Sequence, residues 1–240
     1  MELLSWNRED LRYARRQRFG EMMFVWVAIG TGILCYWLNI MCQYDLETEK
    51  REGRIRYFLR LDKQRGMTMV LSLMMSIGLT WLFDQYHYGP LKVVRYLLLL
   101  ALLYPIARQD AREKVIPNRW LSYILVCRGI LFAAELICFP GMWIENIKFI
   151  LIGGIASGMI FFIAYVVSRH AIGMGDVKLF AVIGLCLGFK TTYLVMIVSL
   201  ILSAFYGGSM VLCRKKNMKD EMAFGPFVTA GTLIVLLLGA

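Results

Sequence analysis

The chain has 240 residues, of which 59% are hydrophobic, with a mean hydropathy of +0.59 and a formal net charge of +10. That apolar share exceeds the roughly one half of an ordinary soluble domain, and several runs approach the ~20 residues with which a helix crosses a ~30 Å hydrocarbon layer. A set of soluble domains is therefore excluded in favour of an all-α, polytopic integral membrane protein, and the basic residues, clustered in short connections between apolar runs, speak for membrane topology and against nucleic-acid binding.

In chain order, residues 1–21 form a basic N-terminal segment containing Arg8, Arg12, Arg15, Arg16 and Arg18. The first apolar run follows this Arg-rich stretch and has the length of a true span, so it is read as a helix and not as a cleaved secretory signal. Transmembrane helices are expected near 22–42, 67–83, 93–108, 120–138, 148–168, 177–189, 191–213 and 224–239, about eight in all. The connection 43–66 carries seven basic residues, Lys50, Arg51, Arg54, Arg56, Arg60, Lys63 and Arg65, and 109–119 adds Arg112, Lys114 and Arg119. Both are assigned to the cytoplasm. Alternate threading then puts 169–176 and the basic 214–223 on the same side and the N-terminus outside, against the pull of its own arginines; either a surface helix over 8–20 holds those at the outer headgroups, or the first segment does not span. Three segments are expected: 1–21, the N-terminal spans with their basic loop over 22–94, and a membrane domain over 95–240.

The run 177–189 is too short to cross. Thirteen residues at ~1.5 Å each reach about 20 Å of a ~30 Å core. Either the helix continues through Lys190, or its first turn with Asp176 lies below the headgroups in a protein-lined cavity. An aspartate opening a helix is ordinarily an N-cap. A second acid changes the weighing, because Asp110 closes the third apolar run on the same assigned side. After it, Val115-Ile116-Pro117-Asn118 breaks the chain, since proline has no amide hydrogen and pushes its predecessor from helical geometry. Two carboxyls sharing one proton supply a base to activate water and an acid for a departing amine, because their repulsion raises one pKa while the other stays ionised. No metal or cofactor is then needed. Gly173 and Gly175, without Cβ atoms, would let an extended substrate approach Asp176.

Three blocks resemble the type IV prepilin peptidases, membrane aspartic proteases of the GxGD class. "DAREKVIPN" (Asp110 to Asn118) resembles the family's first aspartate with its Ile-Pro-Asn; "GMGDVKL" resembles the second, with Gly173, Gly175, Asp176 and Lys178 in register; "MAFGPF" resembles the block that opens the last span, here Phe224, Gly225 and Pro226. The resemblance covers about residues 95–240. It implies an endopeptidase that removes the basic leader from prepilin-like precursors at the cytoplasmic face of the plasma membrane, with Asp110 and Asp176 as the dyad and Ile116, Pro117, Asn118, Lys178 and the last block shaping the site. Its implied partners are the precursor and membrane lipids. The family's longer members carry CxxC zinc motifs in the first cytoplasmic loop and also methylate the new N-terminus. Loop 43–66 has no cysteine, which implies the peptidase-only subtype. The rival from another class is a transporter using the same acids as a proton or cation relay.

The remaining polar residues have structural readings. Cys35, Cys42, Cys127, Cys138, Cys186 and Cys213 form no CxxC pair and read as small apolar residues. Arg128 and Glu135 lie within the fourth span, seven positions apart; they are expected to be too distant for a direct ion pair and either to find partners on other helices or to snorkel. Asp84, His87 and His170 read as solvated edges. Gly154 and Gly158, with Ser157, read as a close helix contact.

Overall fold

The computed structural model describes residues 27, 29–34, 36–37, 63–138, 141, 143–168, 173–212 and 222–239. Among these the regular structure is helical, with no strand. Helical residues within 27–37 precede α1 (Lys63–Gln85), α2 (Pro90–Glu113), α3 (Asn118–Cys138), α4 (Trp143–Val167), α5 (Met174–Leu187), α6 (Phe189–Leu212) and α7 (Gly225–Leu237). The segment 1–21, residues 43–62 of the expected loop 43–66, most of connection 214–223, His170, Cys35, Cys42 and Cys213 lie outside the described residues; residues 63–66, expected in that loop, belong to the start of α1.

Helices α2, α3, α4 and residues Phe189–Met210 of α6 are long and apolar enough to cross a membrane, and α7 is a shorter apolar helix. The protein is thus an all-α, multi-pass membrane protein. Of the four long spans, α2 is the most enclosed by protein, while the outward residues of α4 and α6 are large and apolar: Ile152, Ile155, Met159, Phe162, Leu200 and Phe205. In lipid such a surface carries no hydrophobic penalty, and association of the helices rests on close packing instead.

That packing is tightest between α4 and α5. A Cβ at Gly153 would overlap the Gly184 carbonyl oxygen, and one at Gly184 would overlap that of Gly153. Gly154 faces Leu185 and Gly158 faces Ala181, so the contact expected at 154 and 158 exists, yet the closest backbone approach is one residue earlier, at Gly153. Helix α7 packs chiefly against α2 and α6. The N-terminal helical residues meet α1 through a 2.6 Å hydrogen bond between the Thr31 and Ser76 hydroxyls.

Several boundaries differ from those expected. α2 runs through Pro105 and five residues past 108, so Asp110 lies in a helical turn and not in the loop after it. Lys114, at φ 55°, ends that helix by donating its N–H to the Asp110 carbonyl at 2.8 Å. α4 begins at Trp143, earlier than 148. α5 does not continue through Lys190: Gly188 adopts φ +77°, a conformation open to glycine, and α6 starts at Phe189. Its 14 residues span about 21 Å, short of the ~30 Å core, as the arithmetic on 177–189 anticipated.

Arg128 and Glu135 correct the sequence reading. The two form a direct ion pair along α3, with Arg128 Nη1 3.2 Å from Glu135 Oε2. Seven residues rise about 10.5 Å, a gap the extended guanidinium and the glutamate bridge together. The other half of the expectation holds. Arg128 Nε donates to the Leu185 carbonyl of α5 at 3.0 Å, and Arg95 of α2 pairs with Glu135 at 3.2 Å. Asp84 and His87 form the α1–α2 turn, where the His87 N–H donates to the Asp84 carbonyl and His87 takes φ 53°. Of the described cysteines Cys186 is buried, Cys127 intermediate and Cys138 exposed.

Candidate active site

Three chain segments, the outermost two 115 residues apart, meet at one end of the bundle. Asp110 stands in the last turn of α2, its carboxyl turned inward, and the residue is only 5% exposed. A buried carboxylate needs donors. They come from α7, whose first amide, Gly225 N–H, donates to Asp110 Oδ2 at 2.7 Å, with the Phe224 amide also bonding the side chain. A helix leaves its first amides without intrahelical partners and carries partial positive charge there, so Asp110 serves as that terminus's counter-charge from another helix. Gly225 is small by necessity: a Cβ would stand 3.0 Å from Asp110 Oδ2 and 3.1 Å from its Cβ.

Asp176 lies in the first turn of α5. It is not the N-cap. Gly173 holds that position in extended geometry, and Asp176, three residues on, accepts from the Gly173 N–H, the reciprocal half of a capping box. A Cβ on Gly173 would lie 3.3 Å from Asp176 Oδ2, so the first glycine leaves room for the carboxyl itself. Gly175 is turned to the α2–α3 turn, where a Cβ would come within 3.1 Å of Ile116 Cβ. Its missing side chain therefore serves packing against Ile116. The Asp110 and Asp176 carboxyls are close enough for direct Coulombic repulsion, and each sits against the N-terminal amides of a helix.

The turn between α2 and α3 is held from both sides. Lys178 Nζ donates to Asn118 Oδ1 at 3.3 Å, tying the start of α5 to the start of α3. Buried Gln109, beside Asp110, donates to Glu113 at 2.7 Å and accepts from Trp120 Nε1 at 3.2 Å. Pro117 is partly buried, and its carbonyl accepts the Trp120 N–H at 3.3 Å. Phe224 packs beside a stacked Phe161–Phe180 pair, with ring centroids 6.0 Å from Phe180 and 6.2 Å from Phe161. Pro226, in the first turn of α7, is partly buried next to Gly225.

All eleven residues singled out from the sequence thus belong to one region, linked by Gly225–Asp110, Gly175–Ile116, Lys178–Asn118 and the Phe224 cluster. Gln109, Trp120, Phe161 and Phe180 were not singled out. Phe180 follows Asp176 by four residues and so shares its helical face, a signal that was available. Gln109 was visible as a polar residue within helical reach of Glu113.

The fold and this region define a polytopic helical membrane protein with two helix-seated aspartates gathered at one end. The chain matches the type IV leader peptidase family over residues 97–208. It is 33% identical over 141 residues to a Bacillus subtilis (strain 168) protein named prepilin leader peptidase/N-methyltransferase, covering 58% of this chain and 54% of that one. A protein of the same name from Aeromonas hydrophila is 32% identical over 71 residues, 30% of this chain and 24% of its own. One from Pectobacterium carotovorum subsp. carotovorum is 24% identical over 174 residues, 68% of this chain and 56% of its own. The chain therefore spans about half the length, or less, of the curated relatives it matches. No solved structure matches it.

Proposed function

We propose that this protein is an aspartic endopeptidase that removes the basic leader from prepilin-like precursors, with Asp110 and Asp176 as its catalytic pair. The observation that carries the proposal is the convergence of "DAREKVIPN", "GMGDVKL" and "FGPF" on two neighbouring carboxyls, both of which fall in the stretch 97–208 that matches the leader peptidase family. In the mechanism one carboxylate takes a proton from water as the resulting hydroxide oxygen bonds to the scissile carbonyl carbon. The neighbouring carboxylic acid polarises that carbonyl and protonates the departing amide nitrogen as the C–N bond breaks. The proton taken from water restores the pair for the next turnover. Amides at the α5 and α7 N-termini stabilise whichever carboxyl is ionised.

The site would face the cytoplasm in the plasma membrane, where the precursor's basic leader meets the site and its apolar helix stays among lipids. Basic residues in 43–66 and 109–119 support this orientation. Residues 95–240 would form the catalytic unit and 22–94 an N-terminal accessory pair of spans after the basic segment 1–21. With no cysteine in 43–66, no zinc-supported methyltransferase is assigned to the chain.

Co-expression with a pilin-like precursor tests the proposal. Asp110→Asn and Asp176→Asn should each abolish leader removal while membrane insertion is kept, and the mature product should lack an added methyl. Processing that survives either substitution would refute the dyad, and ion flux lost in both variants without any proteolysis would favour a relay.

A further inference from the structure

At the end of α5 away from the acids, the structure raises a separate problem. The helix stops within the protein because Gly188 turns the chain before residue 189 can offer its amide to the Leu185 carbonyl in helical geometry. In a low-dielectric setting such a carbonyl requires a donor. Arg128 Nε supplies it at 3.0 Å, from α3. The same guanidinium donates through Nη1 and Nη2 to Glu135 Oε2, both at 3.2 Å, and Glu135 is held in turn by Arg95 of α2. Arg128 is only 5% exposed, so its orientation is fixed by these bonds.

We infer that Arg128 is a positioning residue that sets the height of α5, and through it the placement of Asp176 against Asp110. One end of the helix is docked on Ile116 through Gly175, and the other is pinned by the guanidinium. Arginine suits the task because its rigid planar fork reaches a backbone carbonyl through one nitrogen and a carboxylate through two others in a fixed geometry, where an ammonium is a compact point charge. Glu135 and Arg95 hold that fork in place.

The kinetic arm of the test rests on the proposed peptidase activity. Arg128→Met combined with Glu135→Met removes the ion pair together and leaves Leu185 uncapped. We expect normal insertion, a fall in kcat of about tenfold or more, and a KM within about twofold of wild type. Arg128→Lys keeps a positive charge opposite Glu135 and loses the Leu185 bond; it should show the same split while retaining the fold. Wild-type kcat in either variant would overturn the inference, leaving the guanidinium as the counter-charge of Glu135 alone.

A second arm reads the helix without catalysis. A Cβ at 175 lies 3.1 Å from that of Ile116, close to the ~3.8 Å of a disulfide, so Ile116→Cys with Gly175→Cys should cross-link on mild oxidation in membranes. The disulfide-linked peptide pair is quantified by mass spectrometry. Its yield should fall when Arg128→Lys is added, and an unchanged yield would overturn the inference even if kcat drops. If the wild-type chain cleaves no prepilin-like precursor, the peptidase proposal fails and the cross-link yield alone decides the role of Arg128.

Discussion

Replacing Gly225 by alanine should damage catalysis and spare the fold. The added methyl would stand 3.0 Å from Asp110 Oδ2, 3.1 Å from its Cβ and 3.3 Å from its Cγ, all below ordinary van der Waals separation. The buried carboxyl must then withdraw by a few tenths of an ångström, which stretches the 2.7 Å bond from the Gly225 amide. A hydrogen bond to a charged group is worth about 1.5–3 kcal/mol, and an off-rotamer side chain adds about 0.5–1.5 kcal/mol. Losing about half of the bond and adding that strain gives about 1.3–3 kcal/mol, or roughly 8- to 160-fold in kcat. Alanine is the better helix former by up to about 1 kcal/mol, which offsets part of this loss, so thermal stability should fall by no more than about 2 kcal/mol. The assay is steady-state leader cleavage of a purified prepilin-like substrate in detergent, with kcat and KM separated and a melting curve alongside. Full kcat at unchanged stability would mean that the Gly225 amide does not seat Asp110 for the reaction.

Three further substitutions probe other contacts. Lys178→Met removes one exposed 3.3 Å hydrogen bond to Asn118 and should change cleavage less than about threefold; a loss of a hundredfold would show that the ammonium acts on the acids or the substrate. Gly153→Ala drives a methyl into the Gly184 carbonyl and should lower stability by about 1–3 kcal/mol, seen as a reduced melting temperature in detergent, with no change meaning that the α4–α5 crossing is looser than its geometry. Gly188→Ala combines φ +77° with overlap on the Phe149 ring and should cost about 1–3 kcal/mol from the backbone alone; adding Phe149→Ala relieves the ring overlap and leaves that backbone strain to be measured.

The parts of the site legible in the sequence are those whose chemistry is local. Asp110 with Ile116-Pro117-Asn118, Gly173 and Gly175 with Asp176, and the Phe224-Gly225-Pro226 block each fit within nine residues, so their spacing survives without knowledge of the fold. The donor to Asp110 was not legible, because it is a backbone amide 115 residues away, set by how α7 packs on α2. Asp176 was weighed as a cap on the general preference of aspartate for that position, yet Gly173 in extended geometry takes it and moves the carboxyl to the third helical residue. The Arg128–Glu135 pair was missed by counting helical rise and neglecting side-chain reach. Gly153 was passed over because 154 and 158 make the familiar i, i+4 spacing, while only the facing Gly184 determines which ridge comes closest.

The shortness of α5 connects these features. A helix that crossed the whole bilayer would settle its height by matching apolar length to lipid, with latitude of about one residue of rise, ~1.5 Å. Two carboxyls sharing a proton, as proposed for Asp110 and Asp176, would not tolerate that latitude, since a misplacement of about 1 Å can cost a hundredfold in rate. A helix of 14 residues, glycine-packed along α4 and bonded at each end to α3 or the turn before it, takes its height from protein contacts instead. Asp176 thereby inherits its position from the same α2–α3 frame that carries Asp110, and variation in bilayer thickness moves both acids together.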